Sequence, residues 1–413
     1  MSNIDYSDPN NTPPIGQAVS LGLQHVLAMF ASNVTPSIIV AGAAGLAFGG
    51  AEQIYLIQMA MLFAGIATLF QTIGIGPIGA RLPIMQGTSF AFVGVLAGVA
   101  ATQGLNVAVT ACIIAGLIHF SLGSVIQKLR FMFPPFVTGL VILAIGLYLI
   151  PVAIKYAAGG AADFQMAADS FGSLLHWTVA LTVVVVSLAC KFMTKGLISN
   201  AAILIGLIAG YIVAVFSGMV SFGGVENAKW FQLPAVMPYG FEFSLGAVIG
   251  VTLVSLVSAI ETIGDTSATT KAGSERDATD AEISGATYAD GLGTAVAGVF
   301  GGLPNTSFSQ NVGIVGMTGI MSRHVVTIAG IIMIICGLIP KIGAVISSMP
   351  LPVLGGGVIV MFGMVAAAGM NMLSTVSMNR RNMIIISVSL AVGLGLNLVP
   401  SAVQHLPGIW KTL

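Results

Sequence analysis

The chain has 413 residues, of which 56% are hydrophobic and 7% charged, with a mean hydropathy of +1.00 and a formal net charge of zero. A water-soluble chain of this length needs several times as many Asp, Glu, Lys and Arg to cover its surface, so the composition excludes a soluble protein and assigns the chain to the lipid bilayer. Zero net charge, with no basic run and no interleaved basic and aromatic patch, excludes nucleic acid as a partner.

Residues 1–16 read as a polar, cytoplasmic N-terminal tail. Asp5 and Asp8 and the lack of a basic n-region argue against a cleaved signal peptide. Hydrophobic segments of about 20 residues then follow near 17–47, 52–73, 105–127, 134–151, 173–191, 197–217, 244–265, 281–300, 324–346, 352–371 and 383–400. Two further stretches, 82–101 and 303–320, are interrupted by Pro83 and Pro304 and are rich in Gly, Ser, Thr, Asn and Gln. They read as broken half-helices lining a cavity, because irregular backbone at membrane depth is tolerated only there. Cys112, Cys190 and Cys336 lie in apolar runs without metal-ligand spacing and read as packing residues, not a disulfide frame.

Lys and Arg collect in cytoplasmic loops. Threading all these elements from a cytoplasmic N-terminus puts Arg81, Lys128, Arg130, Lys191, Lys195, Lys271, Arg276, Arg323, Arg380 and Arg381 inside, leaving Lys155, Lys229, Lys341 and Lys411 outside. The chain stops soon after His405-Leu406-Pro407-Gly408, so a fourteenth span is expected to be missing.

Two strings recur. Leu82-Pro83 with Thr88-Ser89-Phe90 answers Leu303-Pro304 with Thr306-Ser307-Phe308, and Phe133-Pro134-Pro135-Phe136-Val137-Thr138-Gly139 answers Met349-Pro350-Leu351-Pro352-Val353-Leu354-Gly355. The spacing between the two strings is nearly the same in both halves. Seven elements separate corresponding positions, and since seven is odd the halves are expected to have opposite orientation in the membrane, an inverted repeat with a site at mid-depth.

An ionisable group inside an apolar run costs at least a few kcal/mol unless it meets a partner or a cavity. Glu261 and Asp265 stand at i and i+4, on one helix face. Two carboxylates that close in a low dielectric do not both ionise freely, so one is expected to carry a proton or to be held by donors from another helix. Asp265 suits equally a role tying helices together through Ser and Thr hydroxyls. Asp290 is a third such carboxylate, in a glycine-rich helix, and suits proton binding better than substrate binding. His25 lies in the first span, where a lone histidine is more often an interhelical hydrogen-bonder than a proton carrier. His119 and His176 lack comparable neighbours and read as structural or loop residues.

The second broken element holds Phe308-Ser309-Gln310-Asn311-Val312-Gly313-Ile314-Val315-Gly316-Met317-Thr318-Gly319. Gln310 and Asn311 each offer a donor and an acceptor, as needed to read the amide-like edge of a planar heterocycle. Phe90 and Phe308 are candidates to face the ring, and the half-helix N-termini to bind its carbonyl oxygens. No nucleophile has an adjacent base, no His and carboxylate cluster has metal spacing, and no nucleotide-binding loop occurs, so neither an enzyme nor a metal or cofactor site is expected.

The chain resembles the nucleobase–ascorbate transporter family, also called nucleobase:cation symporter 2. That family's signature is Gln, Glu or Pro, then Asn, any residue, Gly, four residues, Thr and a small or basic residue; here it reads Gln310 to Gly319. Gln24-His25, Gln86-Gly87-Thr88-Ser89-Phe90 and the Glu261 to Asp265 segment also match, in order and over nearly the whole chain. The resemblance implies an all-α polytopic fold of seven plus seven inverted spans, divided into core and gate domains, a homodimer formed through the gate, and an elevator-like motion of the core in the plasma (inner) membrane. On that reading 17–151 holds core spans and the start of the gate, 152–243 gate spans and external loops, 244–346 the second repeat's core spans, and 347–413 its gate spans.

The resemblance also places substrate contacts at Glu261 and Gln310, with help from Ser89, Phe90 and Phe308, and proton-coupling or supporting roles at His25, Asp265, Asp290 and Asn311. Gln310 suits the purine branch, xanthine or uric acid, where a carboxylate would suit uracil and a proline ascorbate. A neutral amide both donates to and accepts from a purine, while Glu261 would repel the ascorbate anion. The small Ser89 leaves room for the extra oxygen of urate. The coupling ion is expected to be the proton, with sodium as the alternative. A uracil-type permease, or an anion exchanger or facilitator of the same architecture, is the competing reading; the carboxylate at 261 argues against an anion.

Overall fold

The computed structural model describes residues 6–129, 135–160, 163–164, 166, 168–403 and 405. Arg130, Phe133, Pro134, Lys411 and the Leu406-Pro407-Gly408 string lie outside the described residues. In chain order the main elements are α1 (Ile15–Ala43), α2 (Ala51–Ile73), β1 (Gln86–Thr88), α3 (Val93–Gln103, entered through a single 3-10 turn at Phe90–Phe92), α4 (Leu105–Leu122), α5 (Pro135–Ala157), α6 (Leu174–Met193) and α7 (Ala202–Phe216). They continue with α8 (Leu245–Ser274), α9 (Asp280–Val299), β2 (Asn305–Ser307), α10 (Ser309–Thr318), α11 (Arg323–Leu338), α12 (Pro340–Ser347), α13 (Leu351–Ser374) and α14 (Arg380–Leu398). Among the described residues, α1, α2, α4, α5, α6, α8 and α13 are each long and apolar enough to cross a bilayer. The protein is a mostly helical, multi-pass membrane protein.

Several spans differ from their expected form, each for a local reason. The segment 324–346 is not one helix, because α11 and α12 meet at a bend of 79° where Pro340 opens the second helix. The segment 197–217 divides into a four-residue turn, Leu197–Asn200, and α7. The helix expected to end at 151 runs on through Pro151 to Ala157. The span expected to end at 265 continues to Ser274, since the hydroxyls of Thr266, Thr269 and Thr270 return hydrogen bonds to the carbonyls of Thr262, Asp265 and Thr266. Those bonds let a polar stretch stay helical while buried.

The fold is also not purely α. The two broken elements form a small antiparallel pair, with Gln86 opposite Ser307, Gly87 opposite Thr306 and Thr88 opposite Asn305. Pro83 and Pro304, which lack an N–H and disfavour helix before them, deliver extended backbone at these points. The register has a symmetry of its own. Exchanging Thr88 with Thr306 and Gly87 with Asn305, as the recurring strings dictate, turns the Gly87–Thr306 pair into Asn305–Thr88.

The chain divides into two compact units. Unit 1 comprises Met1–Leu129, Lys195–Ala201 and Ser221–Ser348; unit 2 comprises Arg130–Thr194, Ala202–Val220 and Met349–Leu413. By this division α5 lies wholly in unit 2 and residues 221–243 belong to unit 1.

In unit 1, α2 lies along α11 and α4 along α9. The half-helix α3 is held by an apolar cluster in which Phe92, Leu96 and Val99 meet Val107, Ala108 and Cys112 of α4 and Val248 and Val251 of α8. At one end of the unit, Arg323 donates to the Thr72 carbonyl (2.8 Å) and to Asn10 Oδ1 (3.1 Å), and the Met321 N–H donates to the Tyr6 carbonyl (2.8 Å), strapping the N-terminal tail across the helix ends.

In unit 2, α13 packs along α5 at backbone contact. A Cβ at Gly369 would fall against the Leu143 backbone and the Gly139 carbonyl. Without lipid-excluded apolar burial to drive helix association, such close approach is a main source of stability in membranes. Gly369→Val is therefore expected to destabilise the protein by about 1–3 kcal/mol, the cost of overpacking. Thermal unfolding of the purified protein checks this, and an unchanged midpoint would remove the contact from the account.

Candidate substrate site

The site is assembled around β1 and β2, whose backbone is tied on every side within unit 1. Beyond the strand pair itself, the Ser89 N–H donates to the Pro304 carbonyl and the Phe308 N–H to the Met85 carbonyl, both at 3.0 Å. From α1, Asn33 Oδ1 accepts the Thr88 N–H (2.8 Å) while its Nδ2 donates to the Ala60 carbonyl of α2 (3.0 Å). From α2, Thr68 Oγ1 accepts the Gln86 N–H (2.9 Å), and from α9, Thr294 Oγ1 accepts the Asn305 N–H (3.1 Å). A short strand pair at membrane depth survives only with such partners, because each unpaired backbone group costs several kcal/mol there.

One face of α8 then carries the chemistry. Ser258, Thr262 and Asp265 stand one helical turn apart. Ser258 Oγ donates to Thr306 Oγ1 (3.0 Å), and Asp265 accepts from Ser307 Oγ (2.7 Å) and Ser309 Oγ (2.6 Å). Thr262 Oγ1 bonds Asp290 Oδ2 across to α9. The other Asp290 oxygen accepts from Gln86 Nε2 (2.5 Å) and Gln71 Nε2 (3.1 Å). The partners of both aspartates are hydroxyls and amides, not Lys or Arg. Asn311, buried in the first turn of α10, donates through Nδ2 to the His25 carbonyl (3.0 Å), and the same atom lies 2.9 Å from His25 Nδ1. His25 thus joins α1 to the half-helix.

Glu261 and Gln310 are placed differently. Among the described residues, neither side chain has a hydrogen-bond partner. Glu261 is half-buried on α8, one turn before Asp265, and Gln310 is exposed in the first turn of α10, next to Ser309. The bonds from Asp265 to Ser307 and Ser309 tie the stretch of α8 that carries Glu261 to the start of α10 that carries Gln310. A Cβ at Gly264 on α8 or at Gly313 on α10 would meet nothing within 4 Å.

Two of the residues expected to help hold a ligand have their side chains buried in the scaffold. Ser89 is buried, and its Oγ accepts the Ala91 N–H (3.2 Å) to cap the 3-10 turn. Phe308 is buried with its ring against Gly87. Of the two phenylalanines, only Phe90 is half-exposed. His176 Nδ1 lies 2.9 Å from the Ala158 carbonyl within unit 2, and His119 is buried on α4. Asn33, Gln71, Thr68, Thr262 and Ser309 were not singled out from sequence. The run Ser32-Asn33-Val34-Thr35-Pro36-Ser37, polar and proline-bearing inside the first span, was the available signal for Asn33.

Residues 16–402 match the permease family Xan_ur_permease. The chain belongs to this family, nucleobase:cation symporter 2. Among its relatives, the uric acid permease PucK of Bacillus subtilis (strain 168) is 38% identical over 96% of this chain and 91% of that protein. The xanthine permease of the same organism is 36% identical, covering 95% and 88%. Among solved structures, the transmembrane domain of a cyanobacterium bicarbonate transporter, BicA, superposes with a TM-score of 0.66 at 16% identity, covering 93% of this chain and 96% of that one. At that identity the likeness speaks for the fold alone. As a permease, the protein is a transporter and not an enzyme, and its unpartnered polar groups are candidates to hold cargo.

Proposed function

We propose that the protein imports a purine base, xanthine or uric acid, across the plasma membrane together with a proton. The observation that carries this reading is that a carboxylate, Glu261, and an amide, Gln310, both without a hydrogen-bond partner among the described residues, stand on α8 and α10, the helices that the Asp265 to Ser309 bond joins. A carboxylate accepts the N–H groups of a purine, and an amide both donates to and accepts from its opposite edge. Phe90 offers the ring a partly exposed aromatic face. Relatives named for uric acid and xanthine support the substrate class.

The proton enters because Glu261, Asp265 and Asp290 share one small region without a bonded Lys or Arg, so moving them across the bilayer favours a state neutralised by protonation at one of the aspartates or at His25. Sodium is the alternative ion. We read unit 1 as the core and unit 2 as the gate of a seven-plus-seven inverted repeat, working by elevator-type alternating access as a homodimer with its N-terminus in the cytoplasm. The self-symmetric register of β1 and β2 supports the inverted repeat.

The test is uptake of labelled xanthine into cells at two external pH values, in competition with a panel of unlabelled bases. Uptake is expected to rise at the lower pH and to be suppressed by xanthine and uric acid above uracil. Uptake indifferent to pH removes the proton. Suppression by uracil and not by purines removes the substrate.

A further inference from the structure

Residues 228–244 of unit 1 have no regular structure, yet their backbone is pinned. The Gln232 N–H donates to the Leu338 carbonyl at the end of α11 (3.2 Å), and the Met237 N–H to the Val299 carbonyl at the end of α9 (2.8 Å). The Ala235 N–H donates to the Tyr55 hydroxyl near the start of α2 (2.9 Å), and the Glu242 N–H to Thr110 Oγ1 in the second turn of α4 (3.1 Å). The segment is thus a strap laid across the ends of four helices, at the edge of the membrane-spanning body.

Tyr239 packs back onto the helix ends, edge-on to Tyr55, but most of the apolar side chains of the strap are left outside. Trp230, Phe231, Leu233, Val236, Phe241 and Phe243 are exposed, from 58% at Phe243 to 75% at Trp230. So dense an apolar surface is unfavourable in bulk water. Nor does the strap belong in hydrocarbon, where irregular, lipid-facing backbone does not occur. The head-group layer satisfies both constraints, since water and phosphate reach the carbonyls while Trp and Phe sit among the upper acyl chains. The charges agree at the Trp230 end, where Lys229 is exposed and Lys341 Nζ, bonded to the Val225 carbonyl (2.8 Å), lies 5.1 Å from the Trp230 ring centre. Two ammonium groups beside a tryptophan suit lipid phosphates. At the other end the Glu242 carboxylate is engaged by Asn106 Nδ2 (2.6 Å).

We propose that the Lys229 to Phe243 strap is a lipid-binding segment, seated in the phospholipid head-group layer through its exposed aromatic side chains and the ammonium groups at its Trp230 end. The proposal does not depend on which solute is carried. It is tested by reconstituting the full chain into vesicles of phosphatidylethanolamine and phosphatidylglycerol and subtracting the tryptophan emission of Trp230→Phe from that of the parent. Lipids brominated near the head group are expected to quench the difference signal about twofold more than lipids brominated near the chain end. A second probe, Phe241→Trp on the Trp230→Phe background, is expected to behave the same way. Quenching by aqueous iodide but by neither lipid would overturn the proposal, placing the strap in water. Protection from all three quenchers would also overturn it, in favour of a second copy of the chain covering the strap.

Discussion

Glu261→Gln lowers labelled-xanthine uptake roughly a hundredfold and Gln310→Ala at least about tenfold, with both variants present in the membrane at the parental amount: this is the expected result if the two groups hold the base. The size follows from the chemistry. A hydrogen bond to a charged group contributes about 1.5–3 kcal/mol, roughly one to two powers of ten in affinity. Glu261→Gln also turns an acceptor into a group whose N–H2 opposes the N–H of the base, whereas Gln310→Ala removes contacts without adding a conflict. Neither change strands a scaffold partner, because among the described residues neither side chain has one. Fold and function are therefore separable at these positions, and loss of the protein from the membrane would count against the assignment. Full uptake by both variants would remove the site.

The second large effect is on folding. Asp290 is fully buried and receives Gln86, Gln71 and Thr262. In Asp290→Leu, Gln71 keeps the Ala286 carbonyl (3.0 Å) and Thr262 keeps the Ser258 carbonyl (3.1 Å). The Gln86 amide loses its only side-chain partner among the described residues, at about 1–3 kcal/mol for the stranded donor alone. Gln86 lies in β1, so the cost falls on the strand pair that organises the site. Asp290→Leu is expected to lower the thermal midpoint and the folded yield of the purified protein, and Asp290→Asn, which keeps an acceptor toward both glutamines, to recover most of both. A stable Asp290→Asn that fails to transport would place the proton on Asp290. An Asp290→Leu protein as stable as the parent would show the network to be dispensable.

Much of this was legible in residue types and spacing. Charged and amide side chains inside apolar runs pointed to Glu261, Asp265, Asp290 and Gln310, and the recurring Thr-Ser-Phe strings pointed to the two broken elements. Direction was not legible. Phe90 and Phe308 occupy the same place in their strings, yet Phe90 opens the 3-10 turn and stays half-exposed, whereas Phe308 precedes α10 with its N–H on the Met85 carbonyl and its ring against Gly87. Asn33 and Gln71 escaped notice because a single amide in a long apolar run gives no sign of a distant backbone partner. The strand pair was hidden for a related reason, since each strand is three residues long and exists only through contacts made from four helices. The continuation of α8 beyond 265 needed the threonine hydroxyls to bond within their own helix, a choice that composition alone does not announce.

The most direct test of the central claim is a structure of the protein with xanthine bound. The expected result is a planar ligand with its N–H edge on the Glu261 carboxylate and its opposite edge on the Gln310 amide. A ligand seated away from both side chains would contradict it.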